Sequence, residues 1–107
     1  MTQPTDALFT ALADPTRRAL FERLCREGEL TVGGLTAGAG VSQPAVSKHL
    51  AVLKRAGLVE DRVSGRQSHY RPRAQALDPL LGWAREMAGF WETRFDALDD
   101  LLNRMDQ

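Results

Sequence analysis

The clearest hydrophobic pattern in the chain lies between Val41 and Leu58. Apolar residues recur there at helical spacing and form one stripe, which consists of Val46, Leu50 and Leu53. Ser42 is a suitable N-cap, and Pro44 lies in the first turn, where its missing N–H costs nothing. Gly57 follows the last turn, as is typical of a glycine that ends a helix. The pattern therefore predicts a short amphipathic helix that begins at Ser42.

The opposite face of this helix is polar and basic. It carries Gln43, Ser47, Lys48, Lys54 and Arg55. Such side chains can hydrogen-bond base edges and phosphates when a helix enters the major groove of DNA. The same face is also typical of an ordinary surface helix, so this helix taken alone leaves both interpretations open.

The N-terminal part of the chain predicts three further helices. The first covers Thr5 to Ala13, and the second covers Asp14 to about Glu27, with Pro15 in its first turn. The residues expected to face inward on the second helix are Ala19, Leu20, Leu24 and, as a further candidate, Cys25. A third, short helix extends from the cap Thr31 to about Gly38. The order of short helix, glycine-containing turn and helix predicts a helix-turn-helix over residues 31–56, with Val41 packing inward after the turn.

After Gly57 the pattern changes to a period of two. Apolar and polar residues alternate from Val59 to Val63, which predicts a half-buried strand. Ser64, Gly65 and Arg66 then form a turn, and Gln67 to Arg71 predicts a second strand. The chain is thus expected to carry a two-stranded β wing over residues 58–72.

The last third of the chain predicts one long helix over residues 77–105. Its main apolar stripe is Leu80, Ala84, Met87, Trp91, Phe95, Leu98 and Leu102, and Trp83 widens it. A helix of this length spans about 40 Å, more than so small a domain can cover by itself. The excess apolar surface favours association with a second copy, although a ligand pocket between helices is an alternative.

Charge is distributed unevenly along the 107 residues, although the formal net charge is zero. Residues 41–73 carry seven lysines and arginines against two acidic residues, whereas the segments on either side are acidic. A basic middle between acidic flanks favours a polyanion such as DNA as the partner. Chance clustering of charges is the alternative.

Composition restricts the remaining classes. The length predicts a single domain, residues 1–107, and no run is long and apolar enough for a membrane span. The N-terminus lacks the pattern of a secretory signal, and one cysteine excludes an internal disulfide, so we expect a cytoplasmic protein. No arrangement of nucleophile and base, phosphate loop or metal cluster indicates an enzyme.

Three strings of residues resemble the ArsR/SmtB family of winged-helix transcriptional repressors. They are ALADPTRRALFERL at residues 11–24, GVSQPAVSKHLAVLKRAGLV at residues 40–59 and SGRQSHYRP at residues 64–72. The resemblance covers nearly the whole chain. It implies a mainly α-helical winged helix-turn-helix with five helices, and a homodimer that binds double-stranded operator DNA and is released by an effector.

The resemblance also implies which residues act. The DNA-binding positions fall on Ser42, Gln43, Pro44, Ser47, Lys48, His49, Arg62, Gly65 and Arg66, with Thr31 near the DNA backbone. For His49 a partly buried position on the helix flank is an equal alternative. The first and last helices would form the dimer interface through Leu8, Leu80, Trp83, Met87, Trp91, Phe95, Leu98 and Leu102.

The chain departs from the metal-sensing members of that family. Those members often carry ELCVCDL at the start of the third helix, where this chain has ELTVGGL, so Thr31 and Gly33 replace the two cysteines. Thiolates are the ligands that thiophilic ions require. The last helix has carboxylates but no histidine, so we expect no metal and no cofactor, and the effector is not identified. Cys25 is a candidate redox sensor, but a single buried thiol is the commoner case.

The sequence therefore predicts a sequence-specific DNA-binding regulator, and a repressor in particular, that reads an inverted repeat as a homodimer. The alternative is a winged helix used as a protein–protein interaction module, since the fold does not fix the function. The basic middle of the chain favours DNA, because a module that binds proteins has no need to concentrate positive charge there.

Overall fold

The computed structural model describes residues 4–105, which contain five helices and three strands. In chain order these are α1 (Pro4–Ala13), α2 (Pro15–Glu27), β1 (Leu30–Thr31), α3 (Val32–Thr36), α4 (Gln43–Arg55), β2 (Val59–Ser64), β3 (Gln67–Pro72) and α5 (Asp78–Met105). The predicted order of helices, hairpin and long final helix is confirmed. The chain divides into two compact units, Met1–Leu77 and Asp78–Gln107.

The joint between α1 and α2 is fixed by hydrogen bonds from the string DPTRR. The carboxylate of Asp14 accepts the backbone N–H of Arg17 at 2.9 Å and caps α2. This hydrogen bond is the main reason why the pKa of Asp14 is lowered. The Arg17 side chain reaches back to the carbonyl of Ala11 at 2.8 Å, and Arg18 reaches the carbonyl of Leu12 at 2.9 Å. The two arginines therefore satisfy carbonyls that the end of α1 leaves without helical partners.

The core of the first unit gathers apolar residues from every element between α1 and β2 except β1. It contains Leu8, Ala11, Leu20, Phe21, Leu24, Leu35, Val46, Leu50, Leu53, Leu58 and Val59. The predicted stripe of α4, Val46, Leu50 and Leu53, is fully buried. Because three positions at helical spacing are buried together, the opposite face of α4 is turned outward.

Both ends of α4 are closed as the sequence predicts. The Ser42 hydroxyl accepts the N–H of Ala45 at 3.3 Å. At the other end, the N–H of Gly57 donates to Lys54 and the N–H of Leu58 donates to Leu53, which is the Schellman arrangement. Gly57 has φ +82°, a conformation that glycine adopts without strain.

The sheet has three antiparallel strands in the order β1-β3-β2, rather than the two strands that were predicted. The hairpin itself is confirmed, with Ser64 opposite Gln67 and Val59 opposite Pro72. The additional strand pairs Leu30 with Tyr70 and Thr31 with His69. Two residues are too few to produce a periodic pattern, so β1 has no recognisable signal in the sequence.

Several residues that were expected to face inward lie at the surface. Ala19 and Cys25 are exposed, because α2 turns Leu20, Phe21 and Leu24 toward the core. The buried-thiol interpretation of Cys25 is therefore wrong, although partial burial still raises its pKa. Val41 and Val63 are also exposed. The alternation predicted for β2 fails toward the hairpin tip, since no core lies behind it.

Two ion pairs tie the hairpin to its surroundings, and a third joins its two strands. Arg62 of β2 forms a bidentate bridge to Glu29, with Nε–Oε1 at 2.7 Å and Nη2–Oε2 at 3.1 Å. The hydrogen bond from Arg62 is the main cause of the lowered pKa of Glu29. Lys54 at the end of α4 pairs with Asp61 at 2.9 Å, which raises the pKa of Lys54. The third pair joins Glu60 and Arg71 across β2 and β3 at 2.8 Å.

The second unit consists of α5, a helix of 28 residues without a buried side chain. Its large exposed apolar residues are Leu81, Trp83, Phe90, Trp91, Phe95, Leu98, Leu101, Leu102 and Met105. The rings of Trp91 and Phe95 lie 6.0 Å apart, and the guanidinium of Arg94 lies 5.7 Å from the Trp91 ring centre. No helix within residues 4–105 is long and apolar enough to cross a membrane.

Replacing Leu50 by alanine should lower the free energy of unfolding by about 2–5 kcal/mol, because the change removes buried methyl groups and leaves a cavity. Urea denaturation followed by circular dichroism measures the loss. Val63→Ala is the matched control, since Val63 is 72% exposed. That variant should stay within about 0.5 kcal/mol of the wild type. Equal losses in the two variants would contradict the core described above.

The pKa of Glu29 should rise toward the ordinary glutamate value in Arg62→Gln, because the variant removes the guanidinium that stabilises the carboxylate. Since the bridge lowers this pKa, it is intact above the ordinary value and is lost as the pH falls through the lowered value. Carboxylate titration by NMR measures the shift. Arg66→Gln on the same hairpin is the control and should leave the titration of Glu29 unchanged. An unchanged pKa in Arg62→Gln would show that the bridge does not form in solution.

Candidate nucleic-acid interface

A polar groove of about 310 Å³ lies where the start of α3, the first half of α4 and the start of β3 meet. It is lined by Thr31, Val32, Gly33, Gln43, Ser47, Arg66, Gln67 and Ser68. Three residues that the sequence singled out, Gln43, Ser47 and Arg66, are therefore brought together from two separate elements. The groove joins the outward face of a helix to the tip of a hairpin.

The outward face of α4 is exposed at nearly every predicted position. Ser42, Gln43, Pro44, Ser47 and Lys48 are all exposed, as the burial of the opposite stripe requires. The Ser42 oxygen is already occupied as the cap of the helix. Gln43, Ser47 and Lys48 thus present an amide, a hydroxyl and an ammonium group on adjacent turns.

His49 lies on the flank of α4 and not in the groove. Its side chain is half-buried, and it lies close enough to Asp14 for its charge to contribute to the lowered pKa of that carboxyl. The hydrogen bond from Arg17 remains the larger cause. The structure therefore places His49 between the helix-turn-helix and the start of α2, as the second of the two sequence interpretations described.

At the hairpin, the two predicted arginines lie in different environments. Gly65 occupies the turn with φ +64°, and Arg66 is exposed beside it at the tip. The guanidinium of Arg62, in contrast, is engaged by both carboxylate oxygens of Glu29. Arg62 thus braces the base of the hairpin, while Arg66 remains available at its end.

Sequence reasoning did not find three residues that shape this region. Gln67 and Ser68 line the groove from β3, and Glu29 holds Arg62. The position of Gln67 and Ser68 beside the predicted turn was an available signal. Glu29 had none, because it is 33 residues away from Arg62 along the chain.

The ion pairs also show where the positive charge of residues 41–73 is concentrated. Lys54, Arg62 and Arg71 are neutralised by Asp61, Glu29 and Glu60. Among residues 4–105, no ion pair forms at the other four basic residues of the segment, which are Lys48, Arg55, Arg66 and Arg73. Two of these four, Lys48 and Arg66, stand on α4 and the hairpin tip that border the groove.

Thr31 and Gly33 stand where the resemblance implies cysteines in metal-sensing members, and the structure shows what surrounds them. The Thr31 hydroxyl accepts the N–H of Gly34 at 3.0 Å and caps α3, and Gly33 lines the groove. In the part of the chain that the structure describes, no group of three or more histidine, cysteine, aspartate or glutamate side chains could hold a metal ion.

The chemistry of this surface matches duplex DNA. An exposed helix face fits a major groove about 12 Å wide, where glutamine and serine can hydrogen-bond base edges. Lysine and arginine at its margins can neutralise phosphates on either side. A hairpin tip beside the helix can contact the adjacent backbone or minor groove.

Known proteins agree with this description. A helix-turn-helix domain family matches residues 12–62. The HTH-type transcriptional regulator Rv2034 of Mycobacterium tuberculosis is 47% identical over 100 residues, which cover 92% of this chain and 88% of that protein. The arsenical resistance operon repressor of Escherichia coli is 45% identical over 81 residues, which cover 75% of this chain and 65% of that repressor.

A solved structure extends the agreement to the fold. The crystal structure of an ArsR family transcriptional regulator matches with a TM-score of 0.77 and 32% identity, over 86% of this chain and 97% of that chain. The chain therefore belongs to the ArsR family of winged helix-turn-helix proteins and is a DNA-binding transcriptional regulator.

Proposed function

We propose that the protein is a homodimeric repressor that reads an inverted-repeat operator with the first two turns of α4. The observation that supports this most directly is the groove that joins Gln43 and Ser47 to Arg66. In this proposal residues 1–107 act as one winged-helix domain in the cytoplasm, with the helix-turn-helix at 31–56, the wing at 58–72 and a dimerisation helix at 77–105.

The residues of α4 divide into base-reading and phosphate-binding groups. Gln43 and Ser47 line the groove and carry the groups that recognise base edges. Ser42 and Pro44 lie exposed at the N-terminal end of the helix, where they can approach the DNA backbone. Lys48 binds phosphate as a point charge. His49 contacts the DNA from the flank of α4, where it lies beside Asp14.

The wing contributes through its tip. Arg66 reaches a phosphate or the minor groove, and Gly65 lets the turn approach the DNA backbone without a side chain in the way. Arg62 supports this contact by holding the hairpin against Glu29. In this proposal Arg62 thus acts on DNA through the position of the wing.

The homodimer is supported by the exposed apolar face of α5. Trp83, Trp91, Phe95, Leu98 and Leu102 are each 44–59% exposed, and Leu80 and Met87 are half-buried. Large apolar side chains that are exposed together on one element are typical of an association surface. Leu8, which was expected at the dimer interface, is only 3% exposed and so is not available for such a contact. Two-fold symmetry would place two copies of α4 about 34 Å apart, which requires an inverted repeat.

The release signal of this protein is proposed to differ from a thiolate-bound ion. The relative in Escherichia coli is named for arsenical resistance. Where the family resemblance implies two cysteines in metal-sensing members, this chain has Thr31 and Gly33, neither of which provides a thiolate. Cys25 lies elsewhere, exposed on α2, and it is the only cysteine of the sequence.

Changing Gln43 and Ser47 together to alanine should weaken binding to the operator by about 1–3 kcal/mol for each base contact that is lost. Binding to random duplex should remain the same, because phosphate contacts dominate it. Fluorescence anisotropy with a duplex selected from a random library by the wild-type protein measures both affinities.

Arg66→Gln is the matched variant for this experiment. It should weaken binding to selected and random duplexes alike and reduce the salt slope by about one, as expected for one lost phosphate contact. If the wild-type protein bound both duplexes equally, sequence-specific recognition would be refuted, and the interaction-module alternative would gain support.

Changing Leu98 to glutamate should shift the protein from dimer to monomer, because it places a charge on the apolar face of α5. Sedimentation equilibrium at micromolar concentration measures the change. Thr93→Glu is the matched control, since it adds the same residue to the opposite side of the same helix. A wild-type protein that sediments as a monomer, or equal dissociation of both variants, would contradict the proposed interface.

A further inference from the structure

One side chain of α2 reaches across to the turn that precedes the DNA-reading helix. Nη1 of Arg23 donates to the carbonyls of Leu35 and Ala37, both at 3.0 Å, and Nη2 donates to the carbonyl of Gly34 at 3.2 Å. Its Nε donates to Glu27 on the same helix at 3.0 Å. The Arg23 side chain is only 25% exposed.

The three carbonyls that Arg23 binds are those that the backbone leaves open. The N–H of Ala37 donates to Gly33, and the N–H of Ala39 donates to Thr36. Within residues 4–105, no backbone N–H beyond the end of α3 donates to Gly34, Leu35 or Ala37. Carbonyls at a helix C-terminus carry partial negative charge, so a guanidinium is a favourable partner for them.

This contact matters because α3 is a weak helix. It has five residues, two of which are glycines that disfavour helix. Thr31 caps its beginning, Leu35 anchors it in the core, and Arg23 closes its end. Because Ala37 already belongs to the turn, Arg23 fixes both the end of α3 and the path of the chain toward Ser42.

We propose that Arg23 is a positioning residue for DNA reading, which holds the turn between α3 and α4 so that Gln43 and Ser47 meet base edges in register. The inference rests on the proposed function. Arg23 does not line the groove, so its influence on DNA passes through α3 and the turn. Glu27 accepts the Nε–H of Arg23 and so orients the guanidinium toward the three carbonyls.

The experiment compares Arg23→Gln, Arg23→Lys and Glu27→Gln with the wild type and with Arg26→Gln. Arg26 is the matched control, because it lies three residues farther along α2 and its ion pair with Glu22 is a long one of 3.9 Å. Binding is measured to the selected duplex and to a random duplex across a salt series, at a temperature where every variant is folded. Amide hydrogen exchange of residues 34–41 is measured on the same proteins without DNA.

Arg23→Gln should weaken binding to the selected duplex about tenfold or more, the size of one lost base contact, because the reading side chains lose their register. Its affinity for random duplex and its salt slope should match the wild type, since no phosphate contact is removed. Lysine keeps the charge but cannot bridge three carbonyls, so Arg23→Lys should show a smaller loss in the same direction. Residues 34–41 should exchange faster in both variants, and Arg26→Gln should behave as the wild type.

A folded Arg23→Gln that keeps the wild-type ratio of selected to random affinity would overturn the proposal, even if it melts at a lower temperature. Should Arg23→Gln fail to fold, Arg23→Lys and Glu27→Gln decide by the same ratio. A salt slope reduced by about one would show instead that Arg23 contacts phosphate directly. If the wild type binds the selected and random duplexes equally, the proposed function is refuted, and the role of Arg23 in DNA reading is refuted with it. The hydrogen-exchange data then show separately whether Arg23 holds the turn.

Discussion

The burial of the α4 stripe is the constraint on which the rest of this structure depends. Val46, Leu50 and Leu53 lose all contact with water, and each is worth about 1.5–3 kcal/mol relative to an exposed side chain. Burying three positions on one face fixes the rotation of the helix about its axis. The outward position of Gln43 and Ser47 is therefore a consequence of core packing, and no contact of their own is required to point them outward.

Rotation alone does not place the helix against DNA, since its tilt and its position along the axis must also be set. At the C-terminal end, the Schellman arrangement at Gly57 leads directly into Leu58 and Val59, both of which are buried. The Lys54–Asp61 pair then ties α4 to β2. At the N-terminal end, the Ser42 cap and the turn held by Arg23 perform the same task. The hairpin and α4 thus belong to one connected piece of structure.

Local sequence predicts the parts of this protein that depend on local forces. The stripe of α4, its cap and its glycine stop were predictable because helix period, capping and left-handed backbone each act within a few residues. The prediction of the buried face of α2 was less accurate, since Phe21 and not Cys25 completes that face. A short helix leaves the centre of its buried face uncertain by about one residue.

The parts that could not be predicted depend on pairs that are distant in sequence. Arg62 belongs to a basic segment and was assigned to DNA, but its partner Glu29 lies in a different element. Arg23 lies 11–14 residues away along the chain from the three carbonyls that it binds. In both cases the sequence around the arginine looks the same whether the side chain faces water, a carboxylate, a carbonyl or a phosphate. Only the fold selects among these partners, so the candidate site was predictable in its helix and much less so in the residues that support it.

Thr31 and Gly33, which replace the cysteines implied for metal-sensing members, also have to be interpreted from the fold. Thr31 caps α3, so its hydroxyl already has a structural role. At Gly33, a Cβ would meet only the Thr31 hydroxyl oxygen, at 3.9 Å, so crowding within the protein does not require glycine. Gly33 forms part of the groove lining, together with Gln43 and Ser47, and contributes no side chain to it. A position that looks like a missing ligand in the sequence thus lies, in the folded protein, in the lining of the polar groove.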